Sequence, residues 1–138
     1  MARPLLAQQR MSLSRVIFGK TGEDLAVREL ERRGYAIVAR RYRRRGGELD
    51  IIARDGPTLV FVEVKARSSS EFGGAVHAVD RRKQARLVRV AAHYLAQHRL
   101  ANQPCRFDVI LCDGGSEAAV VVEHIEHAFD VPGDDLRW

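Results

Sequence analysis

The segment Thr58-Leu59-Val60-Phe61-Val62-Glu63-Val64-Lys65-Ala66 constrains the fold more than any other stretch of the chain. Side chains alternate along a strand, so Leu59, Phe61, Glu63 and Lys65 face one way and Val60, Val62 and Val64 the other. Both faces begin apolar, which assigns the strand to the middle of a sheet covered on both sides. An ionised Glu and a Lys in such a strand are costly unless they are paired or bound to a metal. The fold must therefore bring partners to them.

Glu48 to Arg54 is a second strand-like run, and Arg54-Asp55-Gly56-Pro57 supplies the turn that makes the two a hairpin. A tight turn at Asp55-Gly56 sets Asp50 opposite Phe61, one diagonal step from Glu63. A register one pair longer sets it directly opposite Glu63. Cross-strand neighbours share a face, so in either register the carboxylates of Asp50 and Glu63 converge, with Lys65 alongside. On the preceding helical segment Gly22, Glu23, Ala26, Val27 and Leu30 share one face, which turns Glu23 inward as a third acid. Two carboxylates and a substrate phosphate suit magnesium, which takes hard oxygen ligands and keeps several waters. Asp50 and Glu63 are thus expected metal ligands for Mg2+, or Mn2+ in its place. The ion would polarise a phosphodiester and acidify a water, with Lys65 orienting that water or stabilising the charge that develops.

Gly19 to Arg33 reads as a helix closed by Gly34, and Tyr35 to Arg40 as a short strand. Arg40-Arg41-Tyr42-Arg43-Arg44-Arg45-Gly46-Gly47 reads as a mobile, exposed basic connection. Ser68 to Val79 is polar and glycine-rich, a flexible loop. Asp80 is an N-cap for a helix running to about Arg99, with Leu87, Val88, Ala91, Ala92 and Leu95 as its apolar stripe. Arg106 to Cys112 and Ala118 to Ile125 are two further strands, joined through Asp113-Gly114-Gly115-Ser116. The order helix, three strands, helix, two strands describes an α/β chain, a mixed central sheet with helices packed against it. Residues 1–18 are expected to be a loose basic leader, 19–128 the one folded domain, and 129–138 a tail without periodicity.

The net charge of +5 and a sequence pI of about 9.8 come almost wholly from clustered arginines, which favours a polyanionic partner. No apolar run approaches the roughly 20 residues a membrane-crossing helix needs, and no basic helix carries bulky apolar anchors. Nucleic acid is the expected partner and a membrane is not. The two cysteines, Cys105 and Cys112, lack CxxC spacing and imply a reduced, cytoplasmic setting. Seven positions apart in one strand, they face opposite sides and cannot bridge.

Gly22-Glu23, then Gly47-Glu48-Leu49-Asp50, then Phe61-Val62-Glu63-Val64-Lys65 form a pattern. In it the chain resembles the YraN-like family of predicted endonucleases in the PD-(D/E)xK superfamily, similar in turn to archaeal Holliday junction resolvases. The likeness runs from Gly19 to Asp108, through Phe72-Gly73, Val79, Lys83-Gln84 and Arg106-Phe107-Asp108. It implies a restriction-endonuclease-like αβββαβ core, metal ligation at Asp50 and Glu63, a catalytic role for Lys65 and a supporting acid at Glu23. It favours a homodimer. The family usually has an asparagine after its first strand, where this chain has Arg41, a departure that bears on substrate contact and leaves the metal ligands intact.

The expected activity is magnesium-dependent endonuclease cleavage of branched or single-stranded DNA, with RNA not distinguished. Arg41, Tyr42, Arg43, Arg44, Arg45, Lys83 and Gln84 are the expected nucleic-acid contacts: loop arginines clamp a backbone and Tyr42 stacks on a base. Arg82, Arg86 and Arg89 are either further phosphate contacts or a solvated helix face. Plainer readings stand beside these. Glu63 and Lys65 can be a structural ion pair at a sheet edge, Glu48 and Gln84 boundary residues, and Asp108 either an orienting acid or part of an exposed strand face. His124 and His127 lack the company of a zinc site. The competing function is a non-catalytic nucleic-acid-binding or partner-docking module on a nuclease fold.

Overall fold

The computed structural model of the 138-residue chain describes residues 18–67, 79–113 and 121–131. The leader expected up to residue 17, the loop expected at 68–78, the turn and strand start expected at 114–120 and the end of the expected tail at 132–138 lie outside the described residues. The elements are α1 (Phe18–Arg32), β1 (Ala36–Arg44), β2 (Gly47–Asp55), β3 (Thr58–Arg67), α2 (Arg81–Gln97), β4 (Cys105–Asp113) and β5 (Val121–Ile125). They form a mixed α/β fold compatible with a restriction-endonuclease-like core. The five strands lie in the order β1-β2-β3-β4-β5, antiparallel except for the parallel pair β3 and β4. A parallel pair needs a crossover, and α2 lies within it.

α1 ends as its sequence dictates. Gly34 takes φ 93°, Tyr35 N–H donates to Leu30 O at 2.9 Å and Gly34 N–H to Glu31 O at 3.0 Å, a Schellman closure that lays Tyr35 beside Leu30 in the core. α2 starts at Asp80, whose side chain accepts from Lys83 N–H at 2.8 Å. Its buried face is Leu87, Val90, Ala91, Tyr94 and Leu95. The stripe read from the sequence is thus shifted by part of a turn: Val90 and Tyr94 are core, whereas Val88 and Ala92 are only half-buried. Tyr94 explains the shift, its ring meeting Phe61 and Tyr42 edge-on at 6.2 and 5.1 Å.

Two apolar layers sandwich the sheet. α2 covers Leu49, Ile52, Leu59, Phe61, Phe107, Val109 and Leu111. On the other face Ala26 and Leu30 of α1 pack with Ile51, Ala53, Val60, Val62, Ile110 and Cys112. β3 contributes to both layers. The two cysteines are buried in opposite layers. Phe129, assigned by sequence to the tail, stacks on Phe107 with ring centroids 4.7 Å apart.

The basic segment is not a mobile connection. It is the second half of β1, turning into β2 through Arg45 and Gly46, with Arg44 paired to Gly47 and Gly46 at φ 91°. Arginine alternation hides a strand from a polarity reading. On an edge strand it is stable, because the long stems lie along the sheet while the charged heads reach water and discourage pairing with another chain.

Candidate active site

Asp50 is placed by an irregularity in its own hairpin. The β2–β3 ladder runs from Asp55↔Thr58 to Ile51↔Val62, the longer of the two registers, which continued one step sets Asp50 across from Glu63. Residues two apart on a strand normally share a face, yet Leu49 lies in the α2 layer and Ile51 in the α1 layer. β2 therefore rotates at Asp50, and β1 matches it at Arg41, which takes φ 54° between the pairs Arg40↔Ile51 and Tyr42↔Leu49. The rotation aims the Asp50 carboxylate at β3, where Oδ2 accepts the N–H of Val64 at 2.8 Å. A side chain thus takes the place of a backbone carbonyl at the end of the ladder.

Glu63 follows Leu59 and Phe61 on the α2 side of β3, with its side chain only 8% exposed. Lys83 Nζ on α2 lies 2.8 Å from Glu63 Oε2. Asp50 and Glu63 are close enough to share a hydrogen bond. Burial, then the negative charge of Glu63 and that hydrogen bond, push the Asp50 carboxyl up to about 7 against the opposing pull of Val64 N–H, with Glu23 adding a further push. Two carboxyls side by side in a largely buried place resist joint ionisation, and a divalent cation between them would remove the conflict. This is the sense in which the donor set fits magnesium: two carboxylate ligands, with room in the coordination shell for waters and phosphate. Among the described residues no three His, Cys, Asp or Glu side chains are grouped to enclose an ion.

Glu23 does not complete such a group. Buried on α1, it accepts from Arg40 Nη2 at 2.8 Å and from Arg41 Nε at 3.1 Å, while Arg40 also donates to Asp24 at 2.7 Å. It fixes the rotated part of β1 to α1, and its charge reaches Asp50. Lys65 is exposed, two residues beyond Glu63 on the same side of β3.

The expected nucleic-acid contacts divide into two groups. Arg41, Arg43 and Arg45 are exposed, although Arg43 donates to Glu48 at 3.0 Å and Arg41 is held by Glu23. Tyr42, by contrast, is built into the fold. Its ring meets Tyr94, its hydroxyl donates to Gln97 at 2.7 Å, and Arg44 covers it at 5.3 Å while also donating to Gln97. Gln84 donates to Val79 O at 3.0 Å, bracing the entry to α2. Lys83 points at Glu63. Arg82 and Arg89 are exposed and Arg86 half-buried on α2.

Asp108 lies away from this site. It does face away from Phe107, Val109 and Leu111, but no exposed strand face exists there, because its side chain is wholly buried. It accepts from Arg106 Nε at 3.0 Å, from His127 N–H at 3.0 Å and from His124 Nε2 at 2.7 Å. Arg33 Nη1 sits 2.7 Å from His124 Nδ1, and a guanidinium can only donate, so the imidazole hydrogen is on Nε2. Burial favours protonation of Asp108, but the bonds from His124 and Arg106 outweigh it and hold the carboxyl below its usual range. Arg106 also donates to the Tyr35 hydroxyl and to Asp55. The sequence gives no sign of this knot, in which Arg33 and His124 alone lie 91 positions apart.

The model of an uncharacterised protein family, UPF0102, matches residues 22–112, from the residue before Glu23 to the penultimate residue of β4. The chain belongs to this family. It is the YraN-like family whose pattern the sequence carries. A UPF0102 protein of Frankia casuarinae is 49% identical over 111 residues, covering 80% of this chain and 94% of its own length. A UPF0102 protein of Geobacter metallireducens is 45% identical over 121 residues, covering 88% and 98%. One from Dechloromonas aromatica is 48% identical over 111 residues, covering 80% and 87%. The span matched by the UPF0102 model contains Glu23, Asp50, Glu63, Lys65, Lys83 and Asp108, and ends before β5. No described helix is long and apolar enough to cross a membrane.

Proposed function

We propose that this UPF0102 protein is a divalent-metal-dependent endonuclease that hydrolyses phosphodiester bonds of branched or single-stranded DNA in the cytoplasm. The observation that carries the reading is the meeting of Asp50 and Glu63 at the end of the β2–β3 ladder, where burial and mutual repulsion drive the Asp50 carboxyl up to about 7. Asp50 and Glu63 would hold magnesium or manganese, which when bound supplies positive charge to the phosphodiester and acidifies water. The remaining work falls to the chain's own groups. Val64 N–H fixes the Asp50 carboxylate, and Lys65 lies exposed beside Glu63 to meet developing negative charge. Arg41, Arg43 and Arg45 on the β1–β2 hairpin and Arg82 and Arg89 on α2 offer heads to the phosphate backbone. A homodimer would suit a two-fold junction.

A screen of branched, flapped and linear substrates with magnesium and manganese tests the reading. Cleavage that Glu63→Ala and Lys65→Ala abolish without unfolding the protein supports it. Cleavage that survives both changes overturns it. One observation favours a non-catalytic binding module instead: Glu23, Asp50 and Glu63 each already have a cationic or backbone partner. Binding indifferent to chelator, without turnover, identifies that case.

A further inference from the structure

Lys83 is set at the site with some care. Its backbone N–H caps α2 through Asp80, the neighbouring Gln84 side chain holds Val79 O, and its own side chain crosses from helix to sheet to place Nζ 2.8 Å from Glu63 Oε2. The two ends of this ion pair differ. Glu63 is 8% exposed and fixed in the strand, while the Lys83 side chain is 39% exposed on a flexible stem at the rim. The acid cannot move away and the amine can.

An ammonium and a divalent cation compete for the same carboxylate. The metal takes oxygen lone pairs as ligands, and the lysine, a compact donor-only charge, occupies lone pairs of that kind. Two cations on one carboxylate also repel. We propose that Lys83 is a cation-exchange latch, its ammonium holding Glu63 until a divalent ion takes that carboxylate and frees the amine for a substrate phosphate. The latch rests on the metal-site reading above. The freed ammonium would join the heads of Arg82 and Arg86, which flank the same turn of α2. Metal and nucleic acid then help each other to bind, and by linkage the help is equal in both directions.

The test is a calorimetric titration of the full chain with Mn2+, without substrate, in wild type and Lys83→Met, with thermal unfolding in EDTA as the fold control. Removing the competing ammonium is expected to tighten Mn2+ binding about fivefold, the fold-change equivalent to ~1 kcal/mol for a part-exposed ion pair. Lys83→Arg, which keeps the charge, should stay near wild type. A fluorescent single-stranded oligodeoxynucleotide should gain affinity on addition of Ca2+ in wild type, and that gain should shrink in Lys83→Met. Unchanged or weaker Mn2+ binding by Lys83→Met overturns the latch and leaves the metal site standing. Wild type that binds no Mn2+ overturns both. If Lys83→Met does not fold, Lys83→Gln carries the same expectation and the same refutation.

Discussion

Replacing Asp50 by Asn should make the metal-free protein more stable and abolish the proposed metal-dependent cleavage. In the folded chain the Asp50 carboxyl is pushed from 3.8 to about 7 by burial and by Glu63. An acid that holds its proton more tightly when folded than when unfolded contributes stability at low pH. That contribution is lost as pH rises from about 4 through about 7, because the unfolded chain releases the proton first. The gap corresponds to ~4 kcal/mol, and water reaching a part-exposed site would reduce the realised cost to about half. Asparagine keeps an oxygen for Val64 N–H, adds a donor toward Glu63 and carries no charge. Thermal unfolding in EDTA at pH 8 should therefore show Asp50→Asn melting higher by about 6–8 °C, with the advantage gone by pH 4. Saturating magnesium should raise the melting temperature of wild type and leave the variant unmoved. A variant no more stable than wild type at pH 8 in EDTA would refute the account of two crowded carboxyls.

Asp108→Ala should cost ~3–5 kcal/mol in urea unfolding, because it removes the buried acceptor of Arg106 Nε and leaves the His124 and His127 donors unmet, although Arg106 keeps Asp55 and the Tyr35 hydroxyl. Gly47→Ala places a methyl group 3.0 Å from Val90 Cγ2 and 3.8 Å from Arg86 O, so it should lose about 1 kcal/mol, with Val90→Ala recovering part in a double-mutant cycle. Arg41→Asn should leave the melting temperature unchanged or higher despite losing the bond to Glu23, because asparagine adopts the left-handed conformation more readily than arginine.

The centre of the fold is legible from residue order because it rests on local rules. The apolar alternation of β3, Gly34 closing α1 and Asp80 opening α2 each act within a few residues. The approach of Asp50 to Glu63 follows from hairpin pairing. How they meet does not, since strand alternation assumes a regular ladder and β2 rotates at Asp50. The same rotation bears on the asparagine usual near Arg41 in the resembled family: a residue at φ 54° is a backbone requirement, beyond any substrate contact. The basic run was hidden as a strand because arginine has no periodic polarity to read. The Asp108 knot and the reach of Lys83 depend on contacts across the sheet or between helix and sheet, to which pattern within one segment is blind.

By accepting Val64 N–H, the Asp50 side chain acts as the last rung of the sheet as well as one wall of the site. Lengthening that rung by one methylene, as in glutamate, would either force the hairpin open or carry the oxygen past Glu63. Strand cohesion and the placing of the Asp50 carboxylate beside Glu63 are thus set by a single side chain, and selection on either one acts on the other.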